Sequence, residues 1–293
     1  MSNINNGNIL NVYLAENCNP NGNPSEDNMP RISFDNRIEV TDLRLKRDVR
    51  DYFISNGKEI YVSKLLDGKS SLDKGAKHIM ADKRIETSDH LSEFVDVRLF
   101  GGVFPKSKDN RHLTGPIQFG FGYSFEKDVD IIETQIITTF KTSEDNDGSV
   151  GSMGKDYRVS SATIGFHGTI SAENAKHTSM TIDDLDSFDE AMEYSLIMNK
   201  SRSKMGRYPL IYMRLEYNDD KMFFSRNLTS FISQKDGSQD YSGLIEYLTK
   251  IENKIKTVYL VYDETYFNEY IEHLGNVFGE RLKAKEFFAD KVK

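Results

Sequence analysis

Thr41-Asp42-Leu43-Arg44-Leu45-Lys46-Arg47-Asp48-Val49-Arg50-Asp51-Tyr52-Phe53 sets the reading of everything around it. Thr41 is a helix N-cap, with Asp42 in the first turn, and the helix runs to Ser55. Leu45, Val49, Tyr52 and Phe53 recur at helical spacing and predict the buried stripe. Lys46, Arg47 and Arg50 share the other face, diluted by Asp48 and Asp51. Before this helix, Ile9 to Ala15 reads as a buried strand. Between the two, Asn17 to Pro30 is turn chemistry throughout, and a loop of that length in a compact domain is functional or disordered.

After the helix, residues 56–94 are charged and weakly patterned and read as an insertion. Phe94 to Phe100 is predicted as a strand ending at Gly101-Gly102. Leu113 to Phe125 alternates, with Ile117, Phe119, Phe121, Tyr123 and Phe125 on one side. That stripe is expected to face the core, which argues against stacking on aromatic side chains. Ile131 to Phe140 is predicted as its hairpin partner, and Thr142 to Ser161 is a Gly- and Ser-rich excursion. A strand (Ala162 to Ile170), a helix (Asp183 to Met198), a basic link (Lys200 to Arg207) and a strand (Leu210 to Tyr217) follow. The tail reads helix, strand, helix: Tyr241 to Lys254, Thr257 to Tyr262 and Glu264 to Phe278. Strand, helix, strand, strand, helix, strand is the order of an α+β ferredoxin-like sheet, the scaffold of the RNA recognition motif.

Composition narrows the classes. With 293 residues and no apolar run of about 18, the chain is expected to be one main domain with insertions, without a membrane span or signal peptide. One cysteine, Cys18, forms no internal disulfide and fits a reducing cytoplasm as a spare thiol. The net charge of −8 excludes a uniformly basic nucleic-acid surface and requires that any basic path be segregated.

Catalytic signatures are weak. The six histidines form no HxH or HExxH pattern, and no Cys-rich zinc spacing exists. Gly148 to Lys155 fails as a phosphate loop: Ser149 stands where the first glycine belongs, and Asp156 replaces the magnesium-binding hydroxyl. No cofactor is expected. Glu26, Asp27 and Asp35 are either solvated loop charges or carboxylates able to assist RNA cleavage. The basic clusters say more. Lys46, Arg47 and Arg50 lie in the first helix; Lys155 and Arg158 lie in the excursion; Lys200, Arg202, Lys204 and Arg207 have no acid among residues 199–207.

Several segments together resemble a known family. They are Asn19-Pro20-Asn21-Gly22-Asn23-Pro24, Asn28-Met29-Pro30-Arg31, the helix quoted above, Asp96-Val97-Arg98-Leu99-Phe100-Gly101-Gly102 and Leu113-Thr114-Gly115-Pro116-Ile117-Gln118-Phe119. In this order they resemble the backbone subunit of type I CRISPR surveillance complexes (Cascade), nearest subtype I-B, of the DevR type. The resemblance implies a right-hand shape: a modified RNA-recognition-motif palm over 1–217, fingers near 56–94, a thumb at 142–161, and a C-terminal extension, 218–293, packed on the palm. It implies a non-enzymatic protein that polymerises along a CRISPR guide RNA and leaves the bases free to pair with target DNA, beside capping and large subunits. Carried over, Asn21 and Arg31 act from the first loop, Lys46, Arg47 and Arg50 from the palm helix, and Met153, Lys155 and Arg158 from the thumb, with Met153 a wedge. Lys200, Arg202, Lys204 and Arg207 are added from charge alone.

Two other readings stay open. One is a type III-like backbone subunit that cuts target RNA with a metal and Asp27 or Asp35. The other is a regulatory or structural protein that ignores nucleic acid.

Overall fold

The computed structural model describes residues 4–62, 88–103, 112–137, 153–198, 201–218, 223–235 and 237–289. Most of the expected fingers, residues 142–152 of the expected thumb, and Lys200 lie outside the described residues, as does the side chain of Met153.

The chain opens with β1 (Gly7–Cys18), β2 (Gly22–Asn23), β3 (Met29–Ile32), β4 (Ile38–Val40) and α1 (Asp42–Ser55). Next come α2 (Val95–Phe100), β5 (Gly101–Val103), β6 (His112–Thr114), β7 (Ile117–Phe119), β8 (Gly122–Ser124), β9 (Ile131–Ile137) and β10 (Met153–Ile170). Helices α3 (Ala172–His177) and α4 (Ile182–Met198) lead into β11 (Arg207–Tyr217). The tail adds β12 (Ser233–Lys235), β13 (Ser238–Asp240), α5 (Ser242–Lys250), β14 (Ile255–Tyr262), α6 (Glu264–Phe278) and β15 (Leu282–Glu286).

Among the described residues, eleven strands form one mixed sheet, ordered β15-β14-β11-β1-β10-β8-β4-β3-β2, with β7 and β9 also on β10. Its centre is β1, paired antiparallel to β10 on one side and β11 on the other. Alternation along β1 builds a core on each face. Ile9, Tyr13 and Ala15 pack with α1, α2 and α4 in one cluster. Leu10 and Val12 pack with α5, α6 and Leu228 in the other. The tail strand β14 extends the same sheet beside β11, so the tail covers the second face at that end. No helix of the described residues is long and apolar enough to cross a membrane.

The first helix forms as expected. Thr41 caps it by accepting from the Arg44 amide, and Leu45, Val49, Tyr52 and Phe53 are buried. Asn56 and Gly57, the latter at φ 72°, end it. The loop before it is more ordered than turn chemistry alone suggests. Asp27 and Asn28, both at positive φ, turn β2 back onto β3.

Three expectations are corrected. Val95–Phe100 is a helix. Its alternation resembles a strand's, but every part of it is used inward. Asp96 is fully buried, accepts from the Tyr61 and Val62 amides, and pairs with Arg50. Arg98 pairs with Asp184 and donates to the carbonyls of Ser92 and Glu93. These contacts outweigh local strand preference. The stretch 117–125 is two short strands broken after Phe119. Ile117 and Phe119 are buried, but Phe121 and Tyr123 are 46% and 39% exposed while Gly122 and Ser124 turn inward. Finally, Ile131–Ile137 pairs with the first half of β10, not with 117–125. The second half of β10 carries β7 and β8, so one long strand serves three partners.

Candidate nucleic-acid interface

The first loop leaves the end of β1 at Cys18 and is clasped by the basic link of residues 201–206. The Asn19 amide donates to Ser203 O at 2.9 Å, and the Glu16 amide to Gly206 O at 2.8 Å. Gly206 sits at φ 102°, and a Cβ there would meet Glu16 O at 2.1 Å. Only glycine allows so close an approach. The Cys18 thiol donates to Gly206 O at 3.6 Å, and burial pushes its pKa up. It is a packed thiol, not a nucleophile.

Five cations from three distant segments converge here: Arg44 on α1, Arg158 on β10, and Arg202, Lys204 and Arg207 in the link into β11. Arg207 is buried and donates to both oxygens of Asp48, at 2.6 and 3.2 Å. Arg44 reaches the same carboxylate from one turn earlier on α1. Burial raises the Asp48 pKa, but Arg207 and Arg44 more than offset it and hold the group below the usual carboxylate range. Arg158 donates to Asn17 O at 3.0 Å and pairs with Asp156, which the exposed Arg202 also meets at 3.3 Å. Lys204 donates to the carbonyls of Asn19 and Pro20. Asn21 fastens the loop to α1, its Oδ1 accepting from the Thr41 amide and hydroxyl, each at 2.9 Å.

Arg44, Arg158, Arg202, Lys204 and Arg207 face two carboxylates, Asp48 and Asp156, so positive charge is in excess. The consequence shows at Lys204, whose pKa is pushed down to about 8 by burial and by the nearby Arg44 and Arg207. A surplus of partly desolvated cations beside a helix N-terminus favours an anion such as phosphate.

The remaining candidates stand elsewhere. Lys46 and Arg50 are not on a solvent face: both are buried around the Phe100 ring, 5.7 and 5.3 Å from its centroid. Lys46 donates to Asp42 and Gln118 at 3.0 and 3.2 Å, and Arg50 to Asp96 at 2.9 Å. Arg47 remains partly exposed and paired with Asp51. Lys155 is exposed and paired with Glu133 at 3.1 Å, apart from the cluster. Arg31 lies on β3, with a buried Nε that has no hydrogen-bond partner among the described residues. Asp27 is exposed in its turn, and Asp35 is tied to Ser33 at 2.6 Å and Arg37 at 3.0 Å. Among the described residues, no group of three or more His, Cys, Asp or Glu side chains could hold a metal ion.

Arg44, Asp48 and Asn19 belong to the site but not to the residues singled out from sequence. The signals were the Arg44/Asp48 spacing, which reads as an ordinary helix ion pair, and the place of all three residues in the segments that carry the family resemblance.

The family model described as CRISPR-associated protein Cas7 matches residues 5–252. A protein of Haloferax volcanii named CRISPR-associated protein Cas7 is 28% identical, over 90% of this chain and 88% of its own length. Two solved structures share the fold. A chain of "CRISPR RNA-guided surveillance complex, pre-nicking" superposes with a TM-score of 0.55 at 13% identity, covering 88% of this chain and 92% of that one. A chain of "CRISPR RNA-guided surveillance complex" superposes at 0.51 and 12% identity, covering 88% of each. The family model spans strands β1 to β13, both strand-linking helices and the whole cationic loop, and the chain belongs to the CRISPR-associated protein Cas7 family.

Proposed function

We propose that this chain is a non-enzymatic backbone subunit of a type I surveillance complex in the cytoplasm. It holds a CRISPR guide RNA by its phosphates and leaves the bases free to pair with target DNA in antiviral defence. Copies of the chain line up along the RNA beside capping and large subunits. The central strands β11-β1-β10-β8, with α1 and α4 as the crossing helices, serve as an RNA-recognition-motif-like palm over residues 1–217, and residues 218–293 extend it.

The observation that carries this reading is the gathering of Arg44, Arg158, Arg202, Lys204 and Arg207 around Asp48, Asp156 and the loop carbonyls of Asn17, Asn19 and Pro20. A coat that is blind to sequence needs phosphate contacts rather than base contacts. Guide pairing then supplies the specificity. The family named by the matching model and the Haloferax volcanii relative, and the surveillance complexes named by the solved structures, support the same role. The acids in the first loop do not favour cleavage: Asp35 is engaged by Ser33 and Arg37, and Asp27 has no neighbouring carboxylate cluster among the described residues.

The test is RNA affinity as a function of salt, for the protein and for Arg202→Ala and Lys204→Ala. Each loss of a phosphate contact should weaken binding of every sequence alike and flatten the log–log salt slope by about one. Unchanged slopes in both variants would remove the cationic loop from the RNA path.

A further inference from the structure

Among the described residues, the tail covers the sheet face opposite α1 and α4 at β11 and β1 and reaches β10 through Leu228–Phe231. Val12 is fully buried there in the second core. Its partner in the cross-strand row is Gly165, followed by Tyr123, Glu39 and Arg31 on successive strands. Residues directly opposite one another share a face. Beyond the tail this face carries Tyr123 and Glu39, with Gly165 buried beneath Phe125, and with Phe121 and Phe125 flanking Tyr123 along the chain. Phe34 stands fully exposed at the turn between β3 and β4 and forms the opposite wall. The groove they enclose holds about 530 Å³.

Three features set its chemistry. The Tyr123 ring stands on β8, with Phe121 and Phe125 just outside its two ends, and a β-carbon at Gly165 would come within 2.7 Å of the Phe125 ring, so glycine there lets that ring lie against the sheet. Arg37 is fixed beside the rings by Asp35 at 3.0 Å and the Ser124 carbonyl at 3.3 Å, which presents its guanidinium in one orientation. The far rim is polar, with Asn227, Thr229 and Ser230. Aromatic faces and a fixed guanidinium are what nucleobases stack on, and an amide and hydroxyl rim can meet their edges. Asp35 and Glu39 lie on this side, so the groove has no charge surplus like that of the cationic loop.

We propose that this groove stacks unpaired bases of single-stranded nucleic acid, at a site separate from the phosphate-holding loop. Held by its bases, such a strand binds with little dependence on salt.

The probes are a short fluorescent oligothymidylate, an oligouridylate and an abasic deoxyribose-phosphate strand of equal length. Binding is measured at raised salt, on RNA-free protein and on protein saturated with long RNA, so a failure at the cationic loop leaves the groove result readable. At least one base-bearing strand should bind, and which one tells DNA from RNA. The abasic strand should bind about ten-fold more weakly or worse, as should base-bearing strands offered to a Phe121→Ala/Tyr123→Ala variant. A Phe121→Leu/Tyr123→Leu variant, which keeps apolar area without flat rings, should lose binding too. Equal binding of the abasic strand, retention by the leucine variant, or no binding by either base-bearing strand overturns the proposal. So does an alanine variant that leaves oligonucleotide binding intact but lowers the mass of protein–RNA assemblies, which would make the groove a contact between copies.

Discussion

Lys204 sits with its ammonium against two loop carbonyls and two arginines, and its pKa of about 8 records that crowding. A phosphate arriving at the loop stabilises the charged form, so binding takes up a proton wherever free Lys204 is partly neutral. RNA affinity should be flat below about pH 7 and fall as pH rises through about 8, where Lys204 of the free protein loses its charge. Lys204→Arg, always charged, should keep binding and lose that pH dependence. Affinity independent of pH in the unaltered protein, measured from pH about 6 to 9 by titration at fixed salt, would place the phosphates elsewhere. At this scale the sequence was half legible. The run 199–207 holds no acid, which marks it as basic, but its neutralising carboxylate, Asp48, lies 159 positions away from Arg207. For the same reason Lys46 and Arg50 read as a solvated face and are instead buried against Phe100 and Asp96. One-dimensional spacing shows which side chains share a helix face, not what lies against that face.

The helices with a capping signal and a single apolar stripe, α1 and α6, were predicted to the residue. The element that was misread, α2, has no such stripe, because Asp96 and Arg98 are held by tertiary partners. Asp96 joins the Tyr61 and Val62 amides to the Arg50 guanidinium, so its carboxylate fixes both α2 and the segment entering residues 63–87. Asp96→Ala should cost about 3–5 kcal/mol in urea unfolding, because it strands a buried arginine. A cost under about 1 kcal/mol, the size of an exposed ion pair, would mean that apolar contacts alone set this helix. The split of 117–125 has a similar origin. Alternation was read as one uninterrupted strand, but the break after Phe119 puts Phe121 and Tyr123 on the other face, where the proposed base-stacking groove lies.

Across the whole molecule, the α+β class and most of the strands β1, β8, β10 and β11 were legible because each is apolar on at least one face, whereas their order in the sheet is set by pairings that the chain order does not state. The two-sided core was not legible either, since nothing in residues 218–293 states which face they cover. Among the described residues, cations gather at one end of the sheet beside α1, while aromatic rings line a patch of the opposite face. The central claim is that copies of this chain coat RNA irrespective of its sequence. It is tested most directly by the mass of the purified protein mixed with RNAs of increasing length, at low salt and with a divalent metal present. Bound copies should rise in even steps with RNA length, alike for unrelated sequences, with the RNA left intact. A mass that does not change with RNA length, or RNA that is cut, would contradict the account.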